Sequence, residues 1–126
     1  MKIELDSNES GKNKISAYSA EGLRIGDRLY QSSLILTPEY IMTDWPPKVF
    51  SDLAPQHFDP VIELAPEIVL LGTGSRLLFP DPDVLSPLVA RNIGFEIMDT
   101  GAACRAYNFL MGEGRKVVAA ILTLEA

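Results

Sequence analysis

Two short stretches of this chain carry residue types suited to binding or catalysis. One is Gly72-Thr73-Gly74-Ser75-Arg76; the other is Asp99-Thr100-Gly101, followed by Cys104, Arg105 and Asn108. Each follows an apolar run, and in a parallel sheet both exits lie at one edge, where α/β proteins bind ligands. Gly72 and Gly74 permit positive φ and close approach of another group. Successive backbone N–H groups in such a loop form an anion-binding concavity. Ser75 adds a hydroxyl, and Arg76 a guanidinium that matches a carboxylate or phosphate bidentately. A tight structural turn is the other reading of the same residues. The stretch is not a P-loop, because no Gly-Lys-Ser/Thr follows. Nor is it the dinucleotide fingerprint, whose third glycine falls here on Leu77.

In the second stretch, Asp99 or Thr100 is suited to cap a helix by accepting a hydrogen bond from a free N–H. The remaining N–H groups are able to hold an anion. Cys104 lies near the first turn, where a thiol pKa can fall and the sulfur become reactive. Buried packing is the alternative, cysteine being a common small core residue. His57, the single imidazole, lies in a distant proline-bounded segment. Arg105, Asn108 and Gly112 share the less apolar side of the helix. If that side faces the Gly72 loop, Arg76, Asp99, Arg105 and Asn108 form a polar cluster; otherwise it is a solvated face. Tyr107 is expected in the core with its hydroxyl on a partner. Trp45, followed by Pro46 and Pro47, is either an interface residue or a lid on the domain's own core.

The elements that must position these groups follow from hydrophobic periodicity. Residues 1–13 are polar and read as a flexible lead-in to a single domain over residues 14–126. Residues 15–20 alternate apolar and polar, and short strands are expected around 28–30, 33–37 and 40–45, giving an antiparallel meander. Pro55 and Pro60 break the next segment into a short helix over 54–58 or over 60–64, with Ser51 or Asp52 as a cap nearby. Residues 68–71 form a continuous apolar run, as expected for a strand covered on both faces. Asp81-Pro82 and Ser86-Pro87 both have the form of an N-cap before a proline at the first helical position. That helix is expected to end at Gly94 as its cap. Strands at 95–98 and 116–122 flank a helix over 100–113. The pattern predicts an α/β fold with a mixed sheet: a meander first, then βαβαβ.

The chain has 126 residues, 47% of them hydrophobic, enough for one real core. A single cysteine fits a reducing compartment, and one Cys with one His does not make a four-ligand zinc site. The formal charge of −6, from 17 acidic and 11 basic residues, argues against non-specific nucleic-acid binding. No apolar stretch approaches the roughly 18 residues of a membrane span. The polar, acidic N-terminus lacks the marks of a secretory or mitochondrial leader. The expected location is cytoplasmic.

Leu70-Leu71-Gly72-Thr73-Gly74, together with Met98-Asp99-Thr100-Gly101-Ala102-Ala103-Cys104-Arg105-Ala106-Tyr107-Asn108, resembles the Mth938-like domain. That family of small proteins of unknown function includes the mitochondrial assembly factor three of respiratory complex I. The likeness runs from about Ile15 to Leu122. It implies a three-layer α/β fold around a mixed central sheet, with no established enzyme activity, metal or cofactor. The family's signature residues fall on Gly72, Thr73, Gly74, Asp99, Thr100, Cys104, Arg105, Tyr107 and Asn108. The resulting expectation is a non-enzymatic interaction or assembly-factor-like module with a protein partner. Linkage to the assembly of membrane respiratory complexes is part of that expectation. The alternative is a small-molecule or anion-binding protein, or an enzyme using Cys104.

Overall fold

The computed structural model describes residues 12–125, so most of the expected lead-in lies outside the described residues. Asn13, assigned to that lead-in by sequence, is tied to the domain. Its N–H donates to the Pro38 carbonyl at 2.8 Å, and its side-chain amide donates to the Thr37 carbonyl at 3.0 Å.

Two sheets form. Strands β1 (Ile15–Ser19), β2 (Gly22–Ile25) and β3 (Arg28–Tyr30) make a small antiparallel sheet. Strands β4 (Leu34–Leu36), β5 (Ile41–Met42), β6 (Ile68–Thr73), β7 (Gly94–Met98) and β8 (Val117–Leu122) make a mixed sheet in the order β5-β4-β8-β6-β7. The expected meander therefore divides, and β2, not expected as a strand, joins its first part. Strands β1 and β3 carry many exposed positions, whereas Leu34, Ile35 and Leu36 are all buried. Only a strand covered on both faces suits the mixed sheet's interior.

Between β5 and β6 lie two 3-10 turns, Phe50–Asp52 and Pro55–Phe58, and a short helix α1 (Asp59–Glu63). Both alternatives read from the prolines are thus realised, one after the other. Asp52 closes the first turn rather than opening it: its carboxylate accepts from the Lys48 and Val49 N–H groups at 3.1 and 3.2 Å. His57 has a similar local role, its Nδ1 accepting from the Ala54 N–H at 3.0 Å. Trp45 is the lid, not an interface residue. It is 1% exposed, and its indole N–H donates to the His57 carbonyl at 2.9 Å.

Strands β6, β7 and β8 are mutually parallel, with β6 in the middle. Helix α2 (Pro82–Ala90) joins β6 to β7, and helix α3 (Thr100–Gly112) joins β7 to β8. The two crossovers run in opposite directions across the sheet, so right-handed connections place their helices on opposite faces. The cores agree. Val69, Leu71, Val118 and Ala120 pack with Trp45, Phe58, Leu85 and Leu88 on one face. Leu70, Val117, Ala119 and Ile121 pack with Cys104, Tyr107, Leu23 and Ile25 on the other. The alternation within β6 and β8 is the period of two that a pleated strand imposes.

Helix α2 begins at Asp81-Pro82, and Pro87 lies inside it. Pro87 has no N–H for the carbonyl four residues back; the Ser86 hydroxyl donates to that Asp83 oxygen at 2.8 Å instead. Gly94 is not the cap. Asn92 adopts φ +57°, with Asn92 N–H on the Val89 carbonyl and Ile93 N–H on the Leu88 carbonyl, both at 3.0 Å. That pair of bonds is a Schellman closure, and it frees Gly94 to begin β7. Asn92→Ala should lower stability by about 1 kcal/mol, because alanine resists the left-handed region, while Asn92→Gly should retain it; urea unfolding of the two variants checks this.

Candidate functional site

The two glycine-bearing corners meet at the carboxyl edge of the parallel strands, as the spacing predicts. They fill one another. The Thr100 N–H donates to the Gly74 carbonyl at 2.8 Å. The Thr100 hydroxyl oxygen accepts from the Gly74 N–H at 2.9 Å and donates to the Leu122 carbonyl. One buried side chain thus links the ends of β6 and β8 to the start of α3. Thr100 is fully buried, and among the described residues no buried side-chain polar atom lacks a partner.

Gly72 makes this approach possible. A Cβ built there would lie 3.0 Å from the Thr100 hydroxyl oxygen and 3.2 Å from its Cα. Gly74 supplies the turn, at φ +104°. Thr73 holds the loop that follows: its hydroxyl donates to the Arg76 carbonyl at 2.6 Å and accepts from the Leu78 N–H at 3.2 Å. Asp99 caps α3, its Oδ1 accepting from the Ala102 N–H at 2.9 Å. Of the groups that sequence marks as an anion cradle, the Gly74 N–H is already taken by Thr100 within the fold.

Arg105 and Asn108 face away from the Gly72 loop, toward β1. The Asn108 side chain accepts from the Ile15 N–H at 3.0 Å and donates to the Ile15 carbonyl at 2.8 Å, as a neighbouring strand would. Arg105 donates to the Tyr18 hydroxyl, its guanidinium 6.0 Å from the ring centroid. The expected cluster of Arg76, Asp99, Arg105 and Asn108 is therefore divided by packing against the small sheet. Ser75 and Arg76 remain exposed beside the buried corner. The Tyr107 hydroxyl finds the Asn13 carbonyl at 2.6 Å, and burial raises its pKa.

Cys104 is 1% exposed. Burial pushes its thiol from the ordinary 9.0 up to about 12, with Arg105 pulling weakly the other way. The direction is opposite to that of an activated nucleophile.

Sequence reasoning passed over the outer half of the same loop. Leu77 is 48% exposed and Phe79 70% exposed, while Leu78 between them is half-buried. The available signal was the run of three apolar residues, Leu77-Leu78-Phe79, stopped by Pro80 and outside any strand.

A family model described as "Protein of unknown function (DUF498/DUF598)" matches residues 15–122. The chain belongs to this family. Assembly factor 3 of the NADH dehydrogenase (ubiquinone) 1 alpha subcomplex from Mus musculus is 34% identical over 111 residues, covering 86% of this chain and 59% of the mouse protein. The chain thus spans about three-fifths of that relative. A crystal structure of a Bordetella parapertussis protein superposes with a TM-score of 0.84 at 35% identity, covering 90% of this chain and 97% of that one. A Bordetella pertussis protein described as a Mth938-like domain gives 0.78 at 29% identity, covering 89% of this chain and 86% of that one. Among the described residues no helix is long and apolar enough to cross a membrane.

Two outcomes follow from these contacts. Thr100→Val should destabilise the protein by about 2–3 kcal/mol, because it leaves the buried Gly74 N–H and Leu122 carbonyl unpaired; thermal and urea unfolding measure it. For Cys104, the folded pKa lies above the unfolded one. The folded chain therefore keeps a proton that the unfolded chain releases, and stability falls as pH rises from about 9 to about 12. Unfolding curves should show this component in the wild type and lose it in Cys104→Ala. Iodoacetamide at neutral pH should label the thiol only after unfolding.

Proposed function

We propose that this protein is a non-enzymatic, assembly-factor-like module that holds a protein partner on the outer half of the loop between β6 and α2. The observation that carries the reading is Phe79, 70% exposed beside Leu77 at 48% on a loop pinned at its base by Thr73. Large apolar side chains clustered on a surface mark interaction sites, and a loop ordered in advance loses less entropy on binding. Ser75 and Arg76 stand between the buried corner and the apolar tip, as a polar rim to the contact.

The similarity to an assembly factor supports a protein partner. By the same route we assign the protein a role in assembling a membrane-bound respiratory complex, approached from the aqueous, cytoplasmic side. Two features weigh against the small-anion and thiol-enzyme readings. The Gly74 N–H is already taken by Thr100, and the Cys104 thiol is buried.

Photo-crosslinking in the cell of origin tests the proposal. A benzophenone side chain at position 79 should capture a discrete protein, and one at position 29, on the remote small sheet, should not. Matching patterns from the two positions, or none from position 79, would overturn the assignment.

A further inference from the structure

The loop tip does not stand alone. Beside it lies a depression of about 160 Å³ walled by Phe50, Leu53, Phe79, Pro80 and Val84, with Asp81 as its only charged lining residue. Val49, 41% exposed, precedes Phe50 in the chain. The walls suit one aliphatic side chain.

The one charged side chain lining this groove is acidic. Asp81 occupies the N-cap position of α2, yet its side chain makes no capping hydrogen bond and is exposed. Asp83 follows in the first turn, also exposed. Asp52, exposed, sits between the lining residues Ser51 and Leu53. Lys48 and Arg76 are exposed in the flanking segments and, like Asp52 and Asp83, do not line the groove. The whole chain carries −6, so its long-range field favours the approach of a basic partner and disfavours a phosphate-rich one.

We infer that the groove takes an apolar anchor from a basic segment of the partner. A Leu, Ile or Met side chain enters between Phe79 and Phe50, and flanking Lys or Arg side chains face Asp81, Asp83 and Asp52. Exposed ion pairs are individually weak, so the anchor supplies most of the affinity and the carboxylates select the sign of the partner. This inference rests on the reading that the Phe79 loop holds a protein, and goes further by naming the partner's chemistry.

The probe is a fluorescent amphipathic peptide of Leu and Lys, compared by anisotropy with its Leu and Glu counterpart. The Leu/Lys peptide should bind, and less tightly as salt rises. Phe79→Ser should weaken it by at least about tenfold. Asp81→Asn with Asp83→Asn should weaken it about three- to tenfold and flatten the salt dependence. Glu21→Gln with Asp27→Asn, on the turns of the small sheet, should cost clearly less than the Asp81 and Asp83 pair, less than about twofold. Equal binding of the Leu/Glu peptide overturns the inference. So does an equal loss in the two pairs of charge variants, which marks non-specific attraction. If position 79 crosslinks in cells to a partner segment lacking Lys and Arg, the protein-partner reading stands and this inference fails.

Discussion

The Thr100 hydroxyl is the contact on which the arrangement of strands and helices turns. Its oxygen accepts from the end of β6 and its proton goes to the end of β8, from a residue that begins α3. Three elements distant in sequence thereby share one buried atom. The approach is close enough that a side chain at position 72 would press on Thr100 and Ala103, so glycine there and threonine at 100 pack as one unit. Asp99 sets the helix direction by capping it, and Thr73 carries the order outward into the loop.

This changes the meaning of the signature residues. Gly72, Thr73, Gly74, Asp99, Thr100, Tyr107 and Asn108 resemble the parts of a binding site when read in sequence. Their polar atoms are instead spent on the fold: corner to corner, helix cap to backbone, and helix face to β1. A family defined by such residues shares a scaffold, and the scaffold does not specify a reaction. The exposed apolar and acidic surface is the segment the scaffold holds out, around Phe79 and Asp81.

The parts of the fold legible in sequence were those set by local periodicity. The apolar runs that became β6 and β8 announced strands covered on both faces, and Asp99 announced the start of α3. Two ambiguities needed tertiary information. Pro82 and Pro87 each follow a residue able to cap, and only the Ser86 hydroxyl on the Asp83 carbonyl shows how the second is accommodated inside the helix. Gly94 looked like the helix end, but Asn92 takes the left-handed position. At the site, spacing placed Arg105 and Asn108 on one helix side correctly, yet what that side faces depends on where the small sheet packs. The half-buried character of β1 was visible; the departure of β1 and β3 into a separate sheet was not. Leu77 and Phe79 went unnoticed because exposure is a property of the whole surface, not of a tripeptide.

The chain has a single tryptophan, and its position gives the molecule a built-in optical marker. Trp45 lies in the layer that holds α1 and α2, edge-on to Phe58 with ring centroids 5.8 Å apart. The small sheet and α3 belong to the opposite face, which contains no indole. Indole emission therefore reports on one half of the interior, and three of the four tyrosines, Tyr18, Tyr30 and Tyr107, on the other, with Tyr40 exposed and replaceable by phenylalanine to clear the signal. Comparing the two colours during unfolding distinguishes a chain that loses both faces at once from one that sheds the small sheet first.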